Sequence, residues 1–208
     1  MEDVLEVYSR PYNPQFPLLC MDEFCKQLLS ETRLPLPAEP GAPMKYDYEY
    51  VREGSASAFM LSAPLLGQRQ VYVGKQARRT AKDFAHCLDF AATVMFPKAE
   101  KIVLVMDNLN THTTASLYAT FKPSKAHALA QKFEIHYTPK HGSWLNIAEI
   151  EIAALAKTCL DRRIESVDTF KRELQANVCE RNKSPKPVDW HFSVEEARSK
   201  LKSLYPKI

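Results

Sequence analysis

The sequence has no apolar run approaching the roughly 20 residues that a membrane-spanning helix needs, and its first residues, with Glu2, Asp3 and Glu6, are too acidic for a secretory signal. These absences lead to the expectation of a soluble, cytoplasmic protein with no membrane partner. The five cysteines, Cys20, Cys25, Cys87, Cys159 and Cys179, are odd in number, scattered and without a C-x-x-C pair. They therefore indicate neither a disulfide framework nor a zinc knuckle, and they read as reduced core residues. No G-x-x-x-x-G-K-[ST] motif is present to cradle a nucleotide, and no internal repeat is visible. A large charge excess is missing too, since the net charge is only +3. Its distribution says more: residues 1–119 hold 12 Lys+Arg against 14 Asp+Glu, a balance of −2, and residues 120–208 hold 16 against 11, a balance of +5.

What is present, 208 residues with 45% hydrophobic content, suffices for one well-cored domain. Within it, three carboxylates stand out by their local patterns. The run Lys101-Ile102-Val103-Leu104-Val105-Met106 ends abruptly in Asp107-Asn108. A β-branched apolar run of this length predicts a strand buried on both faces, with Asp107 at its carboxyl end, the edge where open α/β sheets bind ligands. Phe16-Pro17-Leu18-Leu19-Cys20-Met21 followed by Asp22-Glu23 repeats the design. Two strands of one sheet can then present two acids side by side.

A third acid, Glu149, comes on a helix. Pro139-Lys140-His141-Gly142-Ser143 is a breaker-rich loop, and Trp144 to Lys157 is rich in helix formers. Ser143 is the expected N-cap, which places Glu149 about two turns into the helix. Leu145, Ala148, Ile152 and Leu155 mark its packed face, with Glu149 beside that stripe and Glu151 expected in solvent. An isolated Asp at a strand end is more often a turn or cap residue than a ligand. Three acids converging on one sheet edge are different, because close carboxylates repel unless cations neutralise them. Oxygen donors without a Cys or His cluster select Mg²⁺ or Mn²⁺ over zinc.

Along the chain, residues 1–15 read as a leader and residues 16–208 as one domain. Residues 31–54, dense in proline and tyrosine, form an expected insertion loop, a surface excursion or a surface for a partner subunit or DNA. Ser57–Pro64 and Arg69–Gly74 predict a hairpin completing an antiparallel meander. Thr80 to Phe96 predicts an amphipathic crossover helix, Phe133 to Tyr137 a fifth strand, and residues 160–208 terminal helices. The predicted class is α/β, a five-stranded mixed sheet with three antiparallel strands then two parallel, flanked by helices; this order matches the ribonuclease-H-like fold.

The segments Cys20-Met21-Asp22-Glu23, Val105-Met106-Asp107-Asn108-Leu109-Asn110-Thr111-His112 and Tyr137 through Glu149 resemble the DDE catalytic domain of bacterial insertion-sequence transposases of the mariner superfamily. The likeness is in order and covers nearly the whole chain. It implies that Asp22, Asp107 and Glu149 are the catalytic acids and the ligands of Mg²⁺ or Mn²⁺, two ions in such a site. The implied activity is metal-dependent cleavage at transposon ends and 3′-hydroxyl strand transfer into target DNA. The interval 149 − 107 = 42 is longer than the family's commonest spacing, which suggests an insertion in Phe121–Lys132. The resemblance also implies a homodimer bridging two ends, TA target sites, and association with the nucleoid when on DNA. No helix-turn-helix fits before Phe16, so a separately encoded DNA-reading chain or a truncated remnant is expected.

Around these acids, Asn108, His112 and Asn146 are candidates for touching substrate or holding the acids in place. His112 is equally a helix-start residue. Lys140, His141, Ser143 and Trp144 flank the entrance to the Glu149 helix, where phosphate is favoured, and Arg162 and Arg163 are further candidate DNA contacts. Trp144 is as readily a packing anchor as a base-stacking surface. Two other functions remain open: a non-catalytic DNA-binding or dimerising remnant, and a nuclease of the same fold that never transfers strands.

Overall fold

The computed structural model describes residues 1–109, 113–140 and 142–205. Five strands, β1 (Leu18–Glu31), β2 (Tyr50–Ala63), β3 (Gln68–Tyr72), β4 (Ile102–Met106) and β5 (Phe133–Tyr137), form one sheet of order β3-β2-β1-β4-β5. β1 pairs antiparallel with β2 and β2 with β3; β4 runs parallel to β1, and β5 parallel to β4. The mixed sheet expected from sequence is therefore the observed one.

Helices cover both faces. α2 (Ala81–Phe90) crosses from β3 to β4, entered through a reciprocal capping box between Thr80 and Asp83 and prolonged by a π turn, Ala91–Met95. It buries Phe84, Ala85, Cys87 and Leu88 against Leu19, Met21, Phe59, Ile102, Leu104 and Met106. α5 (Ile147–Leu155) lies on the other face, with Ile147, Ala148 and Leu155 against Leu18, Cys20, Met60, Val103 and Val105. All five β4 residues are therefore buried, odd-numbered ones toward α5 and even-numbered ones toward α2. α3 (Ala115–Thr120) and α4 (Pro123–Lys132) connect β4 to β5, so the stretch expected as an insertion is helical from Pro123. α6 (Val167–Asn182) and α7 (Val194–Lys200) close the fold on the α5 side. No helix among the described residues is long and apolar enough to cross a membrane.

Four sequence expectations are corrected. The segment read as a leader is helical, α1 (Glu2–Tyr8), with Val4, Leu5, Val7 and Tyr8 buried in the α5-side core. The proline-rich loop is shorter than 31–54, because β1 runs to Glu31 and β2 starts at Tyr50. Paired strands stabilise that stretch as a ribbon ending in a Glu39–Ala42 turn, with Pro40 and Gly41 (φ +85°) as central residues. Cys25 and Cys179 are exposed, so only Cys20, Cys87 and Cys159 are core thiols.

Glu151 is the fourth. Expected in solvent, it is 8% exposed and lies 2.9 Å from Arg69 Nε and 2.6 Å from Arg181 Nη1. Arg69, on β3, is itself 5% exposed, and its Nη2 donates to Gly67 O at 2.6 Å. Burial lowers the guanidinium's pKa from its ordinary value, and Glu151 opposes that shift. Asn182 at the end of α6 exchanges two hydrogen bonds with the Arg69 backbone. One acid on α5 thus ties the helix to an edge strand and to α6. Glu151→Gln leaves two clustered guanidiniums without their counter-ion, and the expected cost is about 3 kcal/mol of unfolding free energy, measured by urea denaturation.

Candidate active site

The β1–β4 pairing positions the first two acids. Leu18, Leu19 and Cys20 pair with Val103, Leu104 and Val105, and two more steps in that register bring Asp22 beside Asp107. Neighbouring strands lie about 4.8 Å apart. Asp22 is two residues beyond Cys20 and Asp107 two beyond Val105, so both project to the α5 face. Asp107 directly follows β4 as expected. Asp22 does not end its strand: it sits in the interior of the 14-residue β1, opposite Met60 of β2. Paired backbone on the β2 side therefore holds it.

Glu149 is brought to this face by Asn146. Asn146, not Ser143, is the N-cap of α5: its side-chain oxygen accepts from Ala148 N at 3.2 Å, and Ser143 instead opens a 3₁₀ turn, Ser143–Leu145. Asn146 is preferred there because its short amide can both cap and reach sideways. The same side chain, 1% exposed, donates through Nδ2 to Met21 O at 2.9 Å, one residue from Asp22. Glu149 consequently stands in the first turn of α5, nearer the helix start than expected. The Asn146 amide donates to Ser143 O, so the cap does not require the Glu149 carboxylate.

Tyr8 secures the helix entrance from the opposite side. Its hydroxyl donates to Leu145 O at 2.6 Å and accepts from Ile147 N at 3.4 Å, while its ring packs on Trp190 at 4.8 Å. Sequence reasoning missed this residue, although Met1, Val4, Leu5 and Tyr8 carry the helical i, i+3, i+4, i+7 spacing that marks a buried face.

The site's electrostatics follow from this packing. Burial, with added repulsion from Asp107, Glu23 and Glu149, pushes the Asp22 carboxyl up to about 7, against one opposing hydrogen bond from Glu23 N at 2.8 Å. Neither Asp22 nor Glu149 forms an ion pair with a described residue. The acids sense one another, yet among the described residues no three Asp, Glu, His or Cys side chains are gathered into a ready-made metal cluster. An oxygen-only donor set with surplus negative charge fits a hard divalent cation.

Beside Asp107 opens a cleft of about 540 Å³, lined on one side by Asp107, Asn108 and Leu109 and on the other by Thr138, Pro139, Lys140 and Ser143. Thr138 N donates to Met106 O at 2.9 Å and fixes the two walls together. Asn108, Lys140 and Ser143 are exposed there. Trp144 is 45% exposed and meets Phe192 edge-on at 6.0 Å, so it is partly anchored. Arg162 pairs with Glu173, and Arg163 with Glu31 and with the carbonyls of Asp47 (2.8 Å) and Glu49 (3.0 Å). Arg163 thus pins the β1–β2 ribbon, and neither arginine lines the cleft. His112 and His141 lie outside the described residues.

An acid on β1, a second directly after the parallel β4 and a third on a helix strapped to β1 thus face one side of a ribonuclease-H-like sheet. The chain belongs to the DDE superfamily endonuclease family, whose model matches residues 17–171. Among solved structures it is similar in fold to the Mos1 mariner paired end complex with Mn (14% identity, TM-score 0.54, covering 85% of this chain and 52% of that one). It is likewise similar to the Mos1 strand transfer complex (14%, 0.55, 85% and 50%) and to the Mos1 transposase paired-end complex with left transposon end (15%, 0.55, 86% and 53%). The chain spans about half the length of these structures. No curated protein sequence matches it.

Two expectations test the site. Because the folded-state pKa of Asp22 is raised, its contribution is most favourable below the unfolded value and is lost as pH rises toward 7. Asp22→Asn should therefore match the parent near pH 4 and exceed it increasingly up to pH 7. After discounting for solvent screening, the gain should reach on the order of 2 kcal/mol in chelator-treated protein, read by urea unfolding. Asn146→Ala should lose about 1 kcal/mol of cap stability, whereas Asn146→Ser should recover most of it. Neither variant can bridge to Met21 O, so both should bind Mn²⁺ more weakly in calorimetry; full affinity in Asn146→Ser would separate the strap from the site.

Proposed function

We propose that the chain is the catalytic domain of a transposase, cutting DNA at transposon ends with divalent metal and joining the freed 3′-hydroxyl to target DNA. The observation that carries this reading is the alignment of Asp22 with Asp107 across parallel strands, with Glu149 strapped to the same face through Asn146 and Met21. Family membership supports the nuclease chemistry, and the similar solved structures are described as paired-end and strand-transfer complexes, one with Mn and another with Mg. Asp22, Asp107 and Glu149 would hold Mg²⁺ or Mn²⁺, two ions by the resemblance. Held by these carboxylates, such an ion would supply Lewis-acid chemistry, lowering the pKa of an attacking water or hydroxyl and stabilising a leaving oxygen.

The protein's own residues supply position. Asp22 is partly buried, so its charge acts more strongly than it would in bulk solvent. Asn146 and Tyr8 hold the start of α5, fixing the direction from which Glu149 approaches. Lys140 and Ser143, across the cleft from Asp107, can receive phosphate oxygens. The partners in this reading are transposon-end and target DNA, a second copy of the chain, and a separately encoded or fused DNA-reading module.

Asp22→Asn, Asp107→Asn and Glu149→Gln should each reduce metal-dependent cleavage of an end-bearing duplex at least about a hundredfold, a few kcal/mol of barrier, with circular dichroism unchanged. Substantial residual cleavage by any one removes that residue from the site. Joined products on a denaturing gel distinguish strand transfer from hydrolysis alone.

A further inference from the structure

The chain's net charge of +3 hides a sharper concentration. Residues 75–82, Lys-Gln-Ala-Arg-Arg-Thr-Ala-Lys, carry Lys75, Arg78, Arg79 and Lys82 and no acid, four positive charges in eight residues. The adjacent Asp83 is consumed: its carboxylate accepts from the Thr80 amide at 3.1 Å and from the Thr80 hydroxyl at 2.6 Å. Lys75, Arg78 and Lys82 are exposed and form no ion pair with a described residue.

The segment is also fixed in place. Ala77 is 1% exposed in a left-handed conformation (φ 48°); its carbonyl accepts from Ser57 N at 2.6 Å and its amide donates to Gly74 O at 3.0 Å. Such backbone strain in a non-glycine residue persists only where the surroundings enforce it. Arg79 reaches the buried Glu23 carboxylate at 3.6 Å. Lys75 and Lys82 flank a concave surface of about 340 Å³ that also includes His86.

Its placement in the sheet gives it meaning. Tyr72 at the end of β3, Phe59 of β2 and Glu23 of β1 share one row, directly after the row of Asp22. The basic segment leaves β3 at that row, so it stands at the same end of the sheet as Asp22 and Asp107. Lys140 occupies the β5 flank, four strand spacings or about 19 Å from the β3 edge. Cations thus bracket the acids on both sides.

We infer that Lys75, Arg78 and Lys82 form a second DNA-backbone contact, gripping duplex phosphates on the β3 flank while the scissile phosphate lies at the acids. This rests on the proposed function of the acidic site. Exposed cations on a rigid loop neutralise phosphates without reading sequence, and they release counter-ions on binding.

The test is binding of a short random-sequence duplex in EDTA across a salt series. Lys75→Gln/Arg78→Gln/Lys82→Gln should weaken binding and reduce the slope of log affinity against log salt by about 2–3, one contact contributing about 0.9. A control with equal charge loss, Lys98→Gln/Lys183→Gln/Lys202→Gln, should keep the parent slope. Charge-preserving Lys75→Arg/Arg78→Lys/Lys82→Arg should also keep it, which holds the question open to test if the neutral variant folds poorly. An unchanged slope in the neutral variant, or an equal loss in the control, overturns the inference. In that event cleavage that is still abolished by Asp107→Asn leaves the proposed function standing. Absence of any duplex binding by the parent protein would remove both.

Discussion

Three residue pairs between β1 and β4 join the antiparallel half of the sheet to the parallel half, and the acidic site depends on their register. Strand side chains alternate in direction, so a slip of one residue would send Asp107 to the α2 face and leave Asp22 facing α5 alone. The register is enforced from both sides. Leu18, Cys20, Val103 and Val105 belong to one core, and Leu19, Met21, Ile102, Leu104 and Met106 to the other. A slip would therefore exchange two complete sets of packed side chains. Aligning the two acids is a by-product of satisfying two cores at once.

The helix above the sheet carries two acids with opposite circumstances. Glu151 is buried between Arg69 and Arg181 and contributes to holding α5 in place. Glu149, two residues earlier, forms no ion pair with a described residue and adds its charge to that of Asp107 near Asp22. The same helix is thus fastened by a compensated charge at one position and presents an uncompensated one at another. Burial raises the pKa of Asp22 most, so the unfavourable charge is concentrated where a cation would relieve it. Tyr8, Asn146 and the contacts of Glu151 with Arg69 and Arg181 stabilise the same helix and offset that cost.

Much of this was legible in the sequence where the signal was local. The apolar run before Asp107 reads as the fully buried strand observed, the apolar spacing after Thr80 as a helix entered there, and Phe133–Tyr137 as a strand with the observed ends. Legibility failed where the deciding partner was distant. Nothing near Glu151 reveals Arg69 or Arg181, so an acid on a helix read as solvated. Asn146 displaced Ser143 as the cap because it also satisfies a carbonyl of β1, 125 residues away. The proline-rich stretch read as loop from end to end, but its flanks pair across a ribbon further held by Arg163. Composition divided into halves likewise obscured the eight-residue basic segment, which lies in the half with a net negative balance.

The β-bulge in the ribbon has a mechanical consequence. Leu28 pairs with Gly54 and Leu29 with Arg52, so Glu53 is an extra residue, and Gly54 adopts φ +97°, a conformation that favours glycine. An interrupted ladder bends more easily than a continuous one. Between Asp22 and the bulge the pairing is unbroken, a stiff stub six residues long. Beyond the bulge the ribbon is held again, by Arg163 at Glu31 and at the Asp47 and Glu49 carbonyls, so a load on its tip meets that anchor before it reaches the paired stub that carries Asp22.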